Sequence, residues 1–341
     1  MKRISLLILA CVISTTAMAQ NAVDVHSHNI FPFLREFLLR HGASEEETFP
    51  LPEWNESEHL KFMDEAGIQT SLLSMPAPHP CYGDIGECCG IVRRYNTECA
   101  ILKSKYPGKF LFCASLPLPD VKAAVKEAVY ALDTLGADGI KIATNTRGLY
   151  VGDAALDTLM EVLDRRGAVV VLHPHRPVPV NETIISVAPL AVYEYPAETT
   201  RAVVNMIIRN VPSRYGNIKF VIPHCGSFLP LALPRMKSVY GVMEAAGGVP
   251  AIDWDNNLKN FYYDLAGGLT PDVMDALLSV TTPLHLLYGS DYPYLPVGVL
   301  VGNMERLRSM LSRDRRVARY ADDILWKNAR RLFRTDKELT K

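Results

Sequence analysis

The stretch "VDVHSH" (residues 23–28) sets two imidazoles two residues apart behind a short, mostly apolar run. In an extended strand residues i and i+2 point the same way, so His26 and His28 share a face at its carboxyl end. Taken alone, the pair fits either half of a metal site or two hydrogen-bonded histidines. Three further ionisable residues end apolar runs in the same manner: His173 after "AVVVL", His224 after "IKFVIP" and Asp291 after "LLYGS". Brought to one axis, His26, His28, His173 and Asp291 make a donor set for one borderline divalent cation, zinc first and manganese second. His224, outside that set, can polarise a substrate group or relay a proton at working pH. The competing picture is a set of separate polar residues, each solvated at its own strand end.

Such convergence needs a particular scaffold. Strand-like runs are read at Val23–His28, Thr70–Met75, Phe110–Leu116, Gly139–Ala143, Ala168–His173, Ile218–His224, Phe261–Leu265 and Leu286–Ser290. Helical patterns are read at Ser57–Ala66, Ile85–Lys105, Val121–Leu135, Ala154–Arg166, Thr199–Asn210, Leu231–Ala246 and Pro271–Ser279, with further helix to the end of the chain. The strands are apolar and rich in β-branched residues, as in a parallel sheet buried on both faces. Repeated right-handed β-α-β crossovers predict a single-domain (β/α)8 TIM barrel whose loops collect at its C-terminal face. A doubly wound open sheet is the alternative. The proline-rich stretch Pro174–Pro196 is expected as a loop insertion at that face.

Composition narrows the class. The chain has 341 residues, is 48% hydrophobic and 21% charged, and carries a formal net charge of -1. That is the balance of a globular enzyme, with no basic run to suggest a nucleic-acid partner. Residues 1–19 read as a secretory signal: Lys2 and Arg3, an apolar run from Ile4, then Ala17-Met18-Ala19 as a cleavage site. Export to the periplasm follows, with lipoprotein anchoring through Cys11 as the minor alternative. The remaining chain, 20–341, holds no transmembrane stretch. Its cysteines form no C-x-x-C pair, which argues against a cysteine zinc site. A Cys81–Cys88 or Cys81–Cys89 disulfide is open.

The ordered set "DVHSH", "GIKIATNTRGLYVGD", "VVVLHPH", "YPAETTRAVVNMI", "IKFVIPHCGSFLPLALPRM", "YYDLAG", "LYGSDYP" and "NARRLF" resembles the amidohydrolase superfamily. Within it, the set is similar to the amidohydrolase-related branch that contains aminocarboxymuconate-semialdehyde and 6-methylsalicylate decarboxylases. The resemblance implies that His26, His28, His173 and Asp291 are metal ligands and that His224 and Asp291 are catalytic. It implies that Arg235 grips a substrate carboxylate, across the interface of a homodimer. His79 and His175 are further substrate-binding candidates, and Lys141, Arg147, Trp54 and Phe33 are weaker ones. One departure is that the acidic region "ASEEETFPLPEWNESEHLKF" lacks the arginine that serves as a second clamp in the semialdehyde decarboxylases. The implied activity is decarboxylation of a small unsaturated or aromatic carboxylate. The alternatives are hydrolysis of a lactone, ester or amide at the same site and, more remotely, an inactive binding protein.

Overall fold

The computed structural model describes residues 21–180 and 188–335. The expected leader, and the part of the proline-rich stretch at 181–187, lie outside the described residues. Eight strands form one parallel sheet: β1 (Ala22–His28), β2 (Ile68–Ser74), β3 (Phe110–Ala114), β4 (Gly139–Ala143), β5 (Val169–His173), β6 (Lys219–Ile222), β7 (Phe261–Asp264) and β8 (Leu286–Leu287). They neighbour one another in chain order, and every pairing is parallel. The ring closes between β1 and the segment running on from β8. Val25 N–H donates to Tyr288 O at 2.9 Å, Asp291 N–H to His26 O at 2.8 Å and His28 N–H to Tyr292 O at 2.7 Å. The fold is the (β/α)8 barrel expected from the sequence.

The helices that follow the strands are α1 (Glu56–Ala66), α2 (Ile85–Lys105), α3 (Val121–Asp133), α4 (Asp157–Arg166), α5 (Leu190–Ile208), α6 (Leu229–Ala245), α7 (Pro271–Leu278) and α8 (Val297–Arg313). Side-chain caps start several of them: Asn55 accepts from Glu58 N–H, Asp84 from Gly86 and Glu87 N–H, Asp120 from Ala123 N–H and Thr270 from Val273 N–H. Their apolar faces pack on the outward strand residues, among them Leu73, Phe112, Ile140, Ile142, Val170, Leu172, Phe220 and Ile222, to make the main core. Helix α5 begins nine residues before the expected Thr199 and runs through Pro196. A proline inside a helix removes a hydrogen bond. Here the extra turns bury Leu190 and carry Tyr195 to a 2.5 Å hydrogen bond with Glu47.

Inside the barrel a second cluster, including Val23, Val25, Leu72, Leu111, Cys113, Val171, Val221 and Leu287, fills the lower half, with Leu332 and Phe333 of the final helix packed against it. Packed interiors of this kind are the rule for such barrels. In β1 the pairing with β2 slips between Asp24 and Ser27. Val25 therefore joins the interior plug while its immediate neighbour, His26, joins the polar layer above it. A bulge re-aims side chains in this way.

Glycine is demanded where β8 meets β1. A Cβ on Gly289 would lie 2.7 Å from the Cβ of His26 and 3.3 Å from that of Asp264. Gly289→Ala is expected to push the closing segment off β1, with a loss of about 1–3 kcal/mol in urea unfolding and a drop in bound metal. An unchanged midpoint with full metal content would show that the seam is not tight.

Candidate metal centre and active site

Every strand end named by the sequence delivers its residue to one place. The ring of His26 lies 5.1 Å from that of His28, 5.4 Å from His173 and 4.9 Å from His224, centre to centre. His28 and His173 are 4.7 Å apart. Asp291 Oδ1 is 3.3 Å from His28 Nε2 and 3.5 Å from His26 Nε2, while Oδ2 is 3.6 Å from His224 Nε2. One donor atom each from His26, His173, His224 and Asp291 lies within 4.8 Å of all the others.

Partners behind the rings decide which nitrogens face inward. His26 Nδ1–H donates to Asp264 Oδ2 at 2.9 Å. Ser74 Oγ donates to Ser27 O, which leaves its lone pair 3.1 Å from His28 Nδ1 to receive that N–H. His173 Nδ1–H donates to the carbonyl of Pro174 at 2.9 Å. Each ring is thereby set to turn its Nε2 inward, and the Nε2 atoms of His26 and His28 are buried without a hydrogen-bond partner. Orphaned buried nitrogens are rare. Three imidazoles fixed through Nδ1, with a carboxylate beside them, fit a divalent cation, and carbonyl or carboxylate partners behind the rings are the usual means of fixing such ligands.

Asp264 was absent from the residues chosen by sequence, although it ends β7 in "YYDLAG" as His173 ends β5. Besides His26 it accepts from the backbone N–H of His224 and of Ala266. Asp24, also unselected, accepts from Ser290 Oγ at 2.6 Å, from Ser290 N–H and from His26 N–H. His224 and Asp291 both sit at positive φ, 54° and 63°. Non-glycine residues held there mark a constrained turn. Gly267 passes so close that a Cβ would lie 3.2 Å from His224 Cδ2.

The charges are strongly perturbed. Burial lowers the His28 pKa to about 4 and holds His173 well below its usual value, so both rings are neutral. Burial works against the charged form of His26 too, but Asp264 overrides it and raises that pKa to about 9. Burial also opposes ionisation of Asp291, yet the His224, His28 and His26 rings gathered around it keep its carboxyl below the ordinary range. A cation taking Nε2 of His26 must therefore displace a proton.

His224 and Asp291 are 16% and 24% exposed, against 2% or less for His26 and His28, so these two face the opening. They line a cavity of about 290 Å³ together with His173, Glu47, Phe49, Leu51, Ala77, Tyr195, Tyr294 and Leu295. Burial raises the Glu47 carboxyl to about 7. The weaker candidates lie elsewhere. His79 Nε2–H donates to Leu116 O at 2.8 Å, and His175 Nε2 lies 2.7 Å from the buried Nζ of Lys141; neither histidine lines the cavity. Trp54 donates to His59, Phe33 stacks on Phe31, and Arg147 pairs with Glu46. Arg235 is exposed on α6 and does not line the cavity of its own chain.

Replacing His26 and His28 together by Ala is expected to remove the metal from protein purified without added chelator, as read by elemental mass spectrometry. Asp264→Asn is expected to weaken binding roughly 10- to 100-fold in chelator competition. Wild-type affinity should fall as the pH is lowered from about 9, where the His26 proton begins to compete. Full occupancy in the double variant would remove these histidines from the ligand set.

The amidohydrolase family model matches residues 23–335. The 6-methylsalicylic acid decarboxylase of Penicillium expansum is 31% identical over 278 residues, covering 80% of this chain and 85% of its own. A crystal structure of an amidohydrolase II protein is 32% identical with a TM-score of 0.83, covering 92% of this chain and 99% of its own. A dihydroxybenzoic acid decarboxylase from Polaromonas, solved with manganese and an inhibitor, shares the fold at 20% identity and a TM-score of 0.77, covering 93% and 97% of the two chains. With its barrel, its strand-end histidines and this likeness over nearly the whole chain, the protein belongs to the amidohydrolase family of enzymes.

Proposed function

We propose that the protein is a metal-dependent decarboxylase of a small aromatic or unsaturated carboxylate. The observation that carries this reading is the cavity: about 290 Å³, walled by Phe49, Leu51, Tyr195 and Tyr294, and ending on His173, His224 and Asp291. It suits one planar ring with its polar substituents turned toward the histidines. The named decarboxylase activity of the 31%-identical relative supports the same choice. His26, His28, His173 and Asp291 hold the cation, with zinc favoured because imidazole nitrogens outnumber carboxylate oxygens. When bound there, the cation supplies a Lewis acid for the substrate's oxygens.

The chain's own groups do the rest. Aromatic walls orient the ring and exclude water. Asp291, ionised, stabilises a protonated His224 beside it. His224 delivers that proton to the carbon bearing the carboxylate, and the carbon–carbon bond breaks to release carbon dioxide. His224→Ala is expected to keep its metal while turnover falls by about 10²–10⁴-fold; loss of the metal instead would make His224 a ligand. With a panel of hydroxylated and alkylated benzoates, carbon dioxide release is the expected outcome. Incorporation of labelled solvent oxygen from esters or lactones, with no carbon dioxide, would favour the hydrolase reading of the same site.

Glu47 supplies a pH test. Its raised pKa keeps it neutral below about 7, and above that its charge repels an anionic substrate. KM should rise through neutral pH in the wild type and stay flat in Glu47→Gln. A KM profile identical in both would separate Glu47 from binding.

The same reading extends to assembly and location. Leu231, Val239, Val242 and Met243 are exposed on α6, and Val192, Tyr193 and Phe228 continue the apolar surface to the cavity rim. Such a patch suits a second copy, and the reading gives Arg235, on that helix, a role at the partner's cavity. Mixing Arg235→Ala with His224→Ala subunits should restore activity at one site per hybrid; no recovery after confirmed exchange would reject a role in trans. Export after cleavage at Ala19 is part of the proposal, and its mature terminus should be Gln20.

A further inference from the structure

The loop from β2 to α2 carries a group that the proposed chemistry does not use. Cys81 and Cys88 form a disulfide with Cα atoms 4.9 Å apart. Both are buried, with Val92 packed against them. His79 lies at their side: it, Cys81 and Cys88 each offer a donor atom, and the three atoms lie within 4.8 Å of one another. The ring of His79 is already committed in one direction. Its Nε2–H donates to Leu116 O at 2.8 Å, which leaves Nδ1 as a bare lone pair, buried and without a partner. Burial lowers the pKa of this imidazole to about 3, so it stays in its ligating form.

We propose that His79, Cys81 and Cys88 are a second, thiol-based metal site: a disulfide when oxidised, and a Cys2His site for a thiophilic d10 cation such as Zn2+ when reduced. The donors are those such ions select, two sulfurs and one imidazole nitrogen. A tetrahedral zinc ion holds its ligand atoms roughly 3.5–3.8 Å apart, so small side-chain rotations bring these three into range. Cys81 and Cys88 line a cavity of about 740 Å³ together with Tyr82, Asp84, Asp120 and Arg147, which gives the ion and a reductant a path in. Cys88 stands at the first hydrogen-bonded turn of α2, a 21-residue helix, where a thiolate is favoured. The missing C-x-x-C pattern does not count against the site, because the ligand spacing is H-x-C-x6-C and the turn capped by Asp84 brings its ends together.

The redox step balances with a dithiol or phosphine reductant. Such a reductant passes two electrons to the Cys81–Cys88 bond, which breaks as each sulfur takes a proton. Two protons then leave as the cation binds. Bond or ion, the same loop is tied to the same helix, and Ala77 of that loop lines the main cavity.

Cobalt is the probe, because thiolate ligation gives a near-ultraviolet charge-transfer band that the all-nitrogen-and-oxygen central site cannot give. Full-length wild-type protein, stripped and titrated with Co2+, should show no band when oxidised. After reduction it should expose two additional thiols and develop the band at one further equivalent of cobalt, displaced by Zn2+. Cys81→Ser and Cys88→Ser should abolish the band, His79→Ala should abolish or shift it, and Cys89→Ser should leave it intact. The wild-type comparison needs no variant to fold. Two freed thiols without a band, a bond that resists reduction in the folded protein, or a band that depends on Cys89 would each overturn the proposal.

Discussion

A single carboxylate, that of Asp264, organises the reactive end of the barrel. It is fully buried at the end of β7 and takes the Nδ1–H of His26 at 2.9 Å with one oxygen. With the other it takes the backbone N–H groups of His224 and Ala266. Three strands are tied by it: β1 through a ring, β6 through a turn, and β7 through its own backbone. The bond to His26 sets which nitrogen of that ring faces the site, and the bond to His224 sets where the turn after β6 begins. Charge-assisted hydrogen bonds are among the strong ones, and their loss in a buried setting leaves an uncompensated group.

The polar layer is possible because of what lies beneath it. Val23, Val25, Val171, Val221 and Leu287 fill the barrel below the histidines and exclude water from that side. In that setting neutral imidazoles are favoured over charged ones, which is the state a metal ligand needs. His26 is the exception, and its charge is balanced by Asp264 and Asp291. The result is a site assembled from groups whose ionisation states differ sharply within a few ångströms, set by burial on one side and by carboxylates on the other.

Much of this arrangement was legible in the sequence. The first, fifth, sixth and eighth strands each led from an apolar run into a titratable residue, and the period-2 spacing of His26 and His28 put both in one cluster. What escaped were effects that strand spacing does not encode. Simple alternation from Val25 would have turned His26 outward; the bulge in β1 reverses that. Asp264 had the same strand-end signature as its neighbours but follows two tyrosines, so the apolar-run signal was weak. Pro196 suggested a loop where tertiary packing draws α5 straight through it. His175 follows the same strand end as His173 and His79 follows β2, yet hydrogen bonds to Leu116 and Lys141 engage them away from the cavity, a matter of neighbours distant in sequence.

The seam between β1 and β8 has a consequence for when the protein can acquire its cation. Asp24 and His26 come from the first strand, and Ser290 and Asp291 follow the last, nearly the whole chain apart. A nascent chain lacks half of this seam until the segment after β8 has emerged. Under the proposed ligand assignment no partial barrel holds the full donor set, so loading of the ion waits for the closing segment. The same assignment makes the ion one drawn from the pool that surrounds the finished chain, so the place where folding ends would bear on metal identity alongside the ligands.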